Sequence, residues 1–341
     1  MFDRSGLLRR LMLAALLSLG IGAAMAQPIA TSADRPAAPV SGLNTDKAEV
    51  SEQELLGHLG DTGNIHGHIV IPDTRAATLI QPEGRMWRDY RRGPLLWIAG
   101  VLVLGMLGVL AVFYAVKGRI MIPGGRGLAT ILRFTAFERF MHWLTATSWC
   151  VLAVSGLNMA VGRVVLLPLI GPENFTTLSG LLKYAHNFIA FPFIAGIVLM
   201  FLLWLRDNIP NRGDVTWFAQ GGGLIGNAHP PAGKFNGGQK MVFWVVVLGG
   251  GALALTGLAL LFPFYVTDIL GMQLVQVIHG GIALLMIAAM LGHIYIGTVG
   301  MEGAIDAMNS GIVDLKWARK HHNLWVAEEL AKSETPPNAA E

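Results

Sequence analysis

Charged residues are scarce in this chain of 341 residues. They make up 14% of it, while 53% of the residues are hydrophobic. A soluble globular domain carries about 25% charged residues, so this chain has too few to cover a water-soluble surface of its size. The low charge excludes a disordered protein and a coiled coil. A net charge of +3, without a long run of Lys or Arg, also excludes a nucleic-acid-binding protein. The composition indicates an integral membrane protein.

Cysteine is almost absent as well, because Cys150 is the only one in the sequence. A single thiol cannot form an intramolecular disulfide or hold a cysteine-ligated iron–sulfur cluster. It also excludes a covalently attached c-type haem, which requires a C-x-x-C-H motif. Acidic residues are missing from the apolar stretches, apart from Glu138 at the edge of one stretch. Proton- or ion-coupled transporters usually place Asp or Glu there, so this absence argues against transport.

The N-terminal part of the chain has the pattern of an exported segment. Residues 1–26 combine basic residues, an apolar run and Ala24-Met25-Ala26, which is typical of a secretory signal peptide; the alternative is an uncleaved anchor helix. Residues 27–93 would then be a periplasmic segment, expected to be mostly extended or loop. Five apolar stretches follow, each of about the 20 residues that a bilayer requires: Leu95–Val116, Glu138–Val161, Tyr184–Leu205, Met241–Phe262 and Gln273–Val299.

The distribution of basic residues predicts the orientation in the membrane. The segments that would be cytoplasmic carry thirteen Lys and Arg residues, whereas the two outer loops carry two. The positive-inside rule therefore places the tail, residues 301–341, in the cytoplasm and the mature N-terminus in the periplasm of a bacterial inner membrane. Four arginines between Arg85 and Arg92 argue against this orientation, but a cleaved signal peptide fixes export more firmly than they do.

Four histidines lie inside the predicted membrane spans, where ionisable side chains are unfavourable and usually functional. By their positions in the spans, His142 and His293 lie near the inner surface, and His186 and His279 lie near the outer surface. Each pair is drawn from two different helices. Any one of these histidines is explained equally well by an interhelical hydrogen bond, but the pairing by depth favours a shared ligand.

The paired histidines predict haem binding. Two neutral imidazoles at one depth fill both axial positions of a haem iron, which then only transfers electrons. Zinc is a weaker alternative, because it takes three or four ligands and each pair offers two. Gly280, Gly281 and Gly292, close to the histidines, would let a flat porphyrin approach the helix. The same glycines are also typical of close helix packing.

Several motifs between Leu128 and Glu328 resemble those of the formate dehydrogenase gamma subunit, a membrane cytochrome b of the b556 type that reduces quinone. The resemblance implies an all-α integral membrane fold, with a four-helix haem-binding bundle over residues 128–300. One additional N-terminal transmembrane helix and a cytoplasmic linker occupy residues 94–127. The matching segments are RFTAFERFMHWL at Arg133–Leu144, AHNF at Ala185–Phe188, GKFNGGQKMVFW at Gly233–Trp244, VIHGGIA at Val277–Ala283, HIYIG at His293–Gly297 and WARKHHNLW at Trp317–Trp325.

The resemblance also implies the cofactors and their ligands. It implies two haem b groups, the inner one ligated by His142 and His293 and the outer one by His186 and His279. It implies that quinone, either ubiquinone or menaquinone, binds near His293. The residues that would contact the quinone lie in the loop before the fourth span: Asn236, Gly238 and Gln239.

The partners implied by the resemblance carry the remaining chemistry. Electrons would come from an iron–sulfur beta subunit, and formate would be oxidised in a molybdenum or tungsten alpha subunit. This chain would contribute no catalytic residue to formate oxidation. It would pass electrons through the outer and the inner haem to membrane quinone.

Other interpretations stay open at the level of sequence. Related hydrogenase and thiosulfate-reductase cytochromes b share the His-Trp pair, and a haem-free membrane anchor or transporter is a further alternative. GKFNGGQK is also typical of an N-terminal cap and basic anchor for a helix starting at Met241. His321 and His322 are expected to contact lipid headgroups or a partner. Three basic residues at span ends would either bind haem propionates or anchor the helices: Arg206, Lys234 and Lys240.

Overall fold

The computed structural model describes residues 82–223 and 230–334, most of which are helical. In these ranges, five helical segments are long and apolar enough to cross a membrane, which confirms the predicted all-α membrane fold. They are α2, α3, α4, α6 continued by α7, and α8. The elements in chain order are α1 (Pro82–Arg92), α2 (Pro94–Lys117), β1 (Thr130–Leu132), α3 (Ala136–Val165), α4 (Leu167–Trp204), α5 (Arg212–Ala219), α6 (Gly237–Trp244), α7 (Gly250–Leu261), α8 (Ile269–Tyr295), α9 (Asp306–Asn309), β2 (Ile312–Asp314), α10 (Leu315–His321) and α11 (Asn323–Glu334).

The additional helix α2 packs on the outside of the other four membrane helices. Leu95 and Ala99 of α2 are buried against Leu284 of α8, while most other apolar side chains of α2 are exposed, as lipid-facing side chains are. α1 precedes it, so the expectation of extended or loop structure is wrong for residues 82–92. The predicted signal peptide, residues 1–26, and the exported segment up to residue 81 lie outside the described residues.

α4 begins seventeen residues before the expected Tyr184 and takes up most of the expected outer loop. Gly171, with φ of 78° and ψ of 167°, interrupts the helical geometry, and Pro172 follows it. The 38 residues of α4 rise about 57 Å along the helix path, which is nearly twice the thickness of a bilayer core. Polar residues such as Glu173 and Asn174 lower the hydropathy of the first turns, so hydropathy alone places the start too late.

One end of the bundle carries most of the non-membrane structure. This loop-rich end consists of residues 119–135, 205–223, 230–240 and 301–334. β1 and β2 pair antiparallel there, with Ile131 opposite Val313, and the N–H of Ile120 donates to Gly300 O at 2.9 Å. The tail after α8 is therefore folded against the bundle. Much of the buried core lies at this end and is rich in aromatic side chains: Phe134, Trp204, Phe235, Trp317 and Trp325.

Candidate functional site

The four membrane histidines lie on three helices. His142 is on α3, His186 is on α4, and both His279 and His293 are on α8. The two histidines of α8 are fourteen residues apart, which corresponds to a rise of about 21 Å and nearly four helical turns. Their side chains therefore leave α8 from about the same side at two depths. α8 makes few close backbone contacts with α3 and α4, so the histidine-bearing faces stand apart.

The structure brings these histidines together in two pairs with equal spacing. The ring centres of His142 and His293, here called the loop-end pair, are 6.3 Å apart, and the ring planes are at 61°. The ring centres of His186 and His279, the far pair, are also 6.3 Å apart, at 67°. His293 is exposed and the other three histidines are half-buried, so none of the four is enclosed in a tightly packed core.

The spacing of 6.3 Å fits two imidazoles bound to one metal ion. Metal–nitrogen distances of about 2 Å, with about 1.1 Å from each nitrogen to its ring centre, place the ring centres about 6.2 Å apart. A direct N–H···N hydrogen bond of about 2.9 Å would place them only about 5.1 Å apart. The geometry therefore fits a ligand held between the rings better than an interhelical hydrogen bond within either pair.

The far pair is fixed by two hydroxyl groups that sequence reasoning did not single out. Ser155 Oγ on α3 lies 2.8 Å from Nδ1 of His186, and Thr256 Oγ1 on α7 lies 2.9 Å from Nδ1 of His279. The loop-end pair differs, because Nδ1 of His142 is buried and has no hydrogen-bond partner among the described residues.

The loop expected to bind quinone forms the N-terminal cap of α6. The side chain of Asn236 accepts from the N–H of Gln239 at 3.0 Å. The side chain of Gln239 accepts from the N–H of Asn236 at 3.2 Å. This capping box starts the helix at Gly237, four residues before the expected Met241. A Cβ atom at Gly238 would lie 2.8 Å from the indole of Trp217, so the indole would have to shift to admit a larger side chain, and packing by itself explains the glycine.

A buried arginine holds the same loop from beneath. Arg133 is 4% exposed, and its guanidinium donates to Lys234 O at 2.7 Å and to Gln239 Oε1 at 3.2 Å. The guanidinium also lies 5.2 Å from the ring centre of Trp317 and 5.9 Å from that of Trp325. Burial lowers the pKa of Arg133 to about 9. The tail and the capping loop are thus linked through one cation.

The tail also binds this loop directly through His322 and Asn323. His322 is completely buried, and its Nδ1–H donates to Gly233 O at 2.9 Å. Asn323 Oδ1 accepts from the N–H of Ala232 at 3.1 Å. Burial, and then the charge of Arg133, hold the pKa of His322 well below its usual value, so the ring is neutral at pH 7. The expected contact of His322 with lipid headgroups is therefore wrong.

A polar cavity of about 600 Å³ opens at the loop-rich end beside this loop. Two of the basic residues at span ends have carboxylate partners in its walls. Lys234 Nζ lies 2.8 Å from Glu138, and Lys240 Nζ lies 3.0 Å from Asp214. Glu138 also accepts from Trp204 Nε1 at 2.9 Å. Both lysines therefore anchor the span ends through ion pairs.

Comparison with known proteins places these features in a family. The sequence model of the family described as prokaryotic cytochrome b561 matches residues 133–311, the region that contains both histidine pairs and the capping loop. α2 lies outside this match.

Curated relatives agree with this assignment. The formate dehydrogenase cytochrome b556(fdo) subunit of Escherichia coli strain K12 is 30% identical over 203 residues, which cover 58% of this chain and 93% of the relative. The nitrate-inducible formate dehydrogenase cytochrome b556(Fdn) subunit of the same strain is 29% identical over 217 residues, covering 62% and 96%. A formate dehydrogenase cytochrome b556 subunit of Haemophilus influenzae is 29% identical over 212 residues, covering 59% and 84%. The chain belongs to the prokaryotic cytochrome b561 family and is a multi-pass membrane cytochrome b, an electron-transfer subunit.

Proposed function

We propose that this chain is the di-haem membrane subunit of a respiratory formate dehydrogenase, and that it passes electrons from a partner iron–sulfur subunit to membrane quinone. Three relatives with the names reported above support the assignment to formate dehydrogenase. The chain has one cysteine and so cannot hold a cysteine-ligated cluster. Formate would be oxidised in a molybdenum or tungsten subunit, and an iron–sulfur subunit would pass the electrons to this chain.

The two histidine pairs are the observation that carries this proposal. His142 and His293 would hold one haem b, and His186 and His279 would hold the other. A haem whose two axial positions are filled by imidazole supplies one-electron transfer and leaves no site for oxygen. In the described part of the chain, no group of three or more His, Cys, Asp or Glu residues is arranged to hold a metal ion, which disfavours the zinc alternative.

The proposed orientation places the loop-rich end in the cytoplasm of a bacterial cell. Support comes from the thirteen basic residues in the segments that meet at this end, against two in the connections at the opposite end, where α1 adds four arginines. The far pair would then lie near the periplasmic surface and the loop-end pair near the cytoplasmic surface. Electrons would move inward across the membrane, and quinone would be reduced on the cytoplasmic side.

The proposed quinone site uses groups that the capping box leaves available. The capping hydrogen bonds use the side-chain oxygen atoms of Asn236 and Gln239. Their NH₂ groups are donors, and a quinone carbonyl is an acceptor. Gly238 would contribute a close backbone approach, and His293 would lie near the ring. These residues would bind and orient the quinone rather than react with it.

Reduction of a quinone also consumes two protons, which the proposed site takes from the cytoplasm. The polar cavity borders this loop at Lys234 and Gly237, and charged side chains line much of it. A polar cavity of this size holds water. It would let water carry protons to the loop, while Arg133 and His322 hold the loop in place.

Electron transfer in isolated membranes tests the proposal. We expect formate to reduce the b-type α-band and the quinone pool in membranes that contain this chain. A strain that lacks the chain should lose formate-dependent quinone reduction but keep formate oxidation with a soluble dye, because that step belongs to the partner. Reduction of the band by hydrogen and not by formate, or reoxidation of a quinol-reduced band by thiosulfate, would overturn the assignment to formate dehydrogenase.

A further inference from the structure

The far pair is surrounded by two copies of the same local arrangement. Ser155 on α3 and Thr256 on α7 are each followed by glycine and leucine in the sequence. A Cβ atom at Gly156 would lie 3.4 Å from Cε1 of His186, and one at Gly257 would lie 3.4 Å from Cε1 of His279. Each imidazole therefore lies against a helix backbone with its Nδ1 at a hydroxyl. The two helical hairpins present their histidines in matching ways.

The hydroxyl hydrogens in both copies are already committed to backbone carbonyls. Ser155 Oγ donates to Val151 O at 2.7 Å, and Thr256 Oγ1 donates to Ala252 O at 2.7 Å. A hydroxyl has one hydrogen to donate and can still accept. With its hydrogen on the carbonyl, the hydroxyl oxygen can only accept at its second contact, and this assigns the proton of that contact to the histidine as Nδ1–H.

This hydrogen bond decides which nitrogen of each ring can bind a metal. With the proton on Nδ1, the lone pair is on Nε2, on the other side of the ring. A hydrogen bond that accepts from the distal N–H of a ligating histidine fixes the ring orientation and raises the basicity of the ligand. A more basic axial ligand stabilises the oxidised iron, and so lowers its reduction potential.

We propose that Ser155 and Thr256 are a matched pair of positioning residues that hold the far-pair imidazoles in the Nδ1–H form and lower the reduction potential of the haem between them. The proposal rests on the proposed function, because it needs a haem at the far pair. Nothing equivalent reaches Nδ1 of His142 among the described residues. The haem at the far pair would therefore have the lower reduction potential of the two. Electrons that enter there would be passed on toward the haem at the loop-end pair.

An optical redox titration of the purified complex tests the proposal, with the His279→Ala variant identifying the component that belongs to the far pair. Thr256→Val keeps the shape of the side chain and removes the hydroxyl, whereas Thr256→Ser keeps the hydroxyl. Ser155→Ala removes the hydroxyl that contacts His186. Thr145→Val is a matched control, since Thr145 is buried and makes the same type of bond to Met141 O at 2.9 Å.

We expect the midpoint potential of the far-pair component to rise in Thr256→Val and in Ser155→Ala, and to rise further in the double variant. Its low-spin electron paramagnetic resonance signal should shift as the rings reorient. Thr256→Ser and Thr145→Val should match the wild type. Loss of the far haem in Thr256→Val but not in Thr256→Ser would equally support a hydroxyl role. An unchanged potential in Thr256→Val, or an equal change in Thr256→Ser, would overturn the proposal. A wild-type complex without haem would refute the proposed function itself.

Discussion

Replacing Arg133 by methionine should slow quinone reduction while changing the free energy of unfolding very little. Methionine keeps a long side chain near the rings of Trp317 and Trp325 but donates no hydrogen bond. Lys234 O and Gln239 Oε1 then lose the donor that holds the capping loop. The loop should therefore become less ordered while the surrounding core remains packed.

The small effect on global stability follows from opposing terms of similar size. Two hydrogen bonds from a charged donor contribute about 1.5–3 kcal/mol each, and the aromatic rings add about 0.5–2 kcal/mol. Burial of the charge opposes them, because lowering the pKa from 12.5 to about 9 corresponds to about 5 kcal/mol. Replacing the arginine with methionine removes the favourable hydrogen bonds and the unfavourable burial of charge together. The net change in the free energy of unfolding is therefore small, as it is when other buried charges are replaced by apolar residues.

The effect on quinone reduction should be larger. Losing even the weaker of the two hydrogen bonds, about 1.5 kcal/mol, lowers the equilibrium constant between the ordered and the disordered loop roughly tenfold. We expect the KM for a soluble quinone analogue to rise by up to about that factor in Arg133→Met, with unchanged haem content. Arg319→Met is the matched control, because Arg319 is exposed at the same end of the bundle. A loss of several kcal/mol in stability, or unchanged quinone kinetics, would refute this reasoning.

Three further predictions address the loop, the loop-rich end and the orientation. Asn236→Ser keeps the helix cap but removes the amide donor, so quinone reduction should slow while haem content and thermal stability stay constant. Unchanged quinone kinetics would show that Asn236 only caps the helix. Burial by itself would raise the pKa of Asp314, but the N–H groups of Gly127, Trp317 and Lys316 outweigh it and lower the pKa. Its stabilising effect should be present above about pH 4 and be lost as pH falls through the lowered pKa, and Asp314→Asn should lose this pH dependence in thermal unfolding. Alkaline phosphatase fused after Tyr265 should be active and fused after Glu334 inactive; the reverse pattern would overturn the orientation.

The membrane helices were predictable because hydropathy alone identifies them. Their ends were not, as α4 shows, since Glu173 and Asn174 make its first turns too polar to resemble a membrane span. α1 was missed because residues 82–92 carry several charges and follow a segment without helical periodicity. The family match supports the fold and the haem-binding class but adds nothing about α2.

The histidine pairs followed from depth, which depends only on counting residues along each span. The residues that hydrogen-bond to these histidines could not be predicted in the same way, because their roles depend on contacts between helices. Ser155 and Thr256 are ordinary small polar residues until α4 and α8 bring a histidine to each. The repeated Ser-Gly-Leu and Thr-Gly-Leu would have been the available signal. His322 lies in a basic tail that resembles a membrane-surface segment, yet its burial follows from the loop that it contacts.

Haem content in paired histidine variants tests the central claim most directly. The pyridine haemochrome assay on the purified wild-type complex should give two haem b per copy of this chain. Replacing both members of one pair, as in His186→Ala with His279→Ala, should leave one haem. Replacing one member of each pair, as in His142→Ala with His186→Ala, should leave none. A wild type with no haem, or a cross-pair variant that retains haem while the same-pair variant loses all of it, would contradict the account.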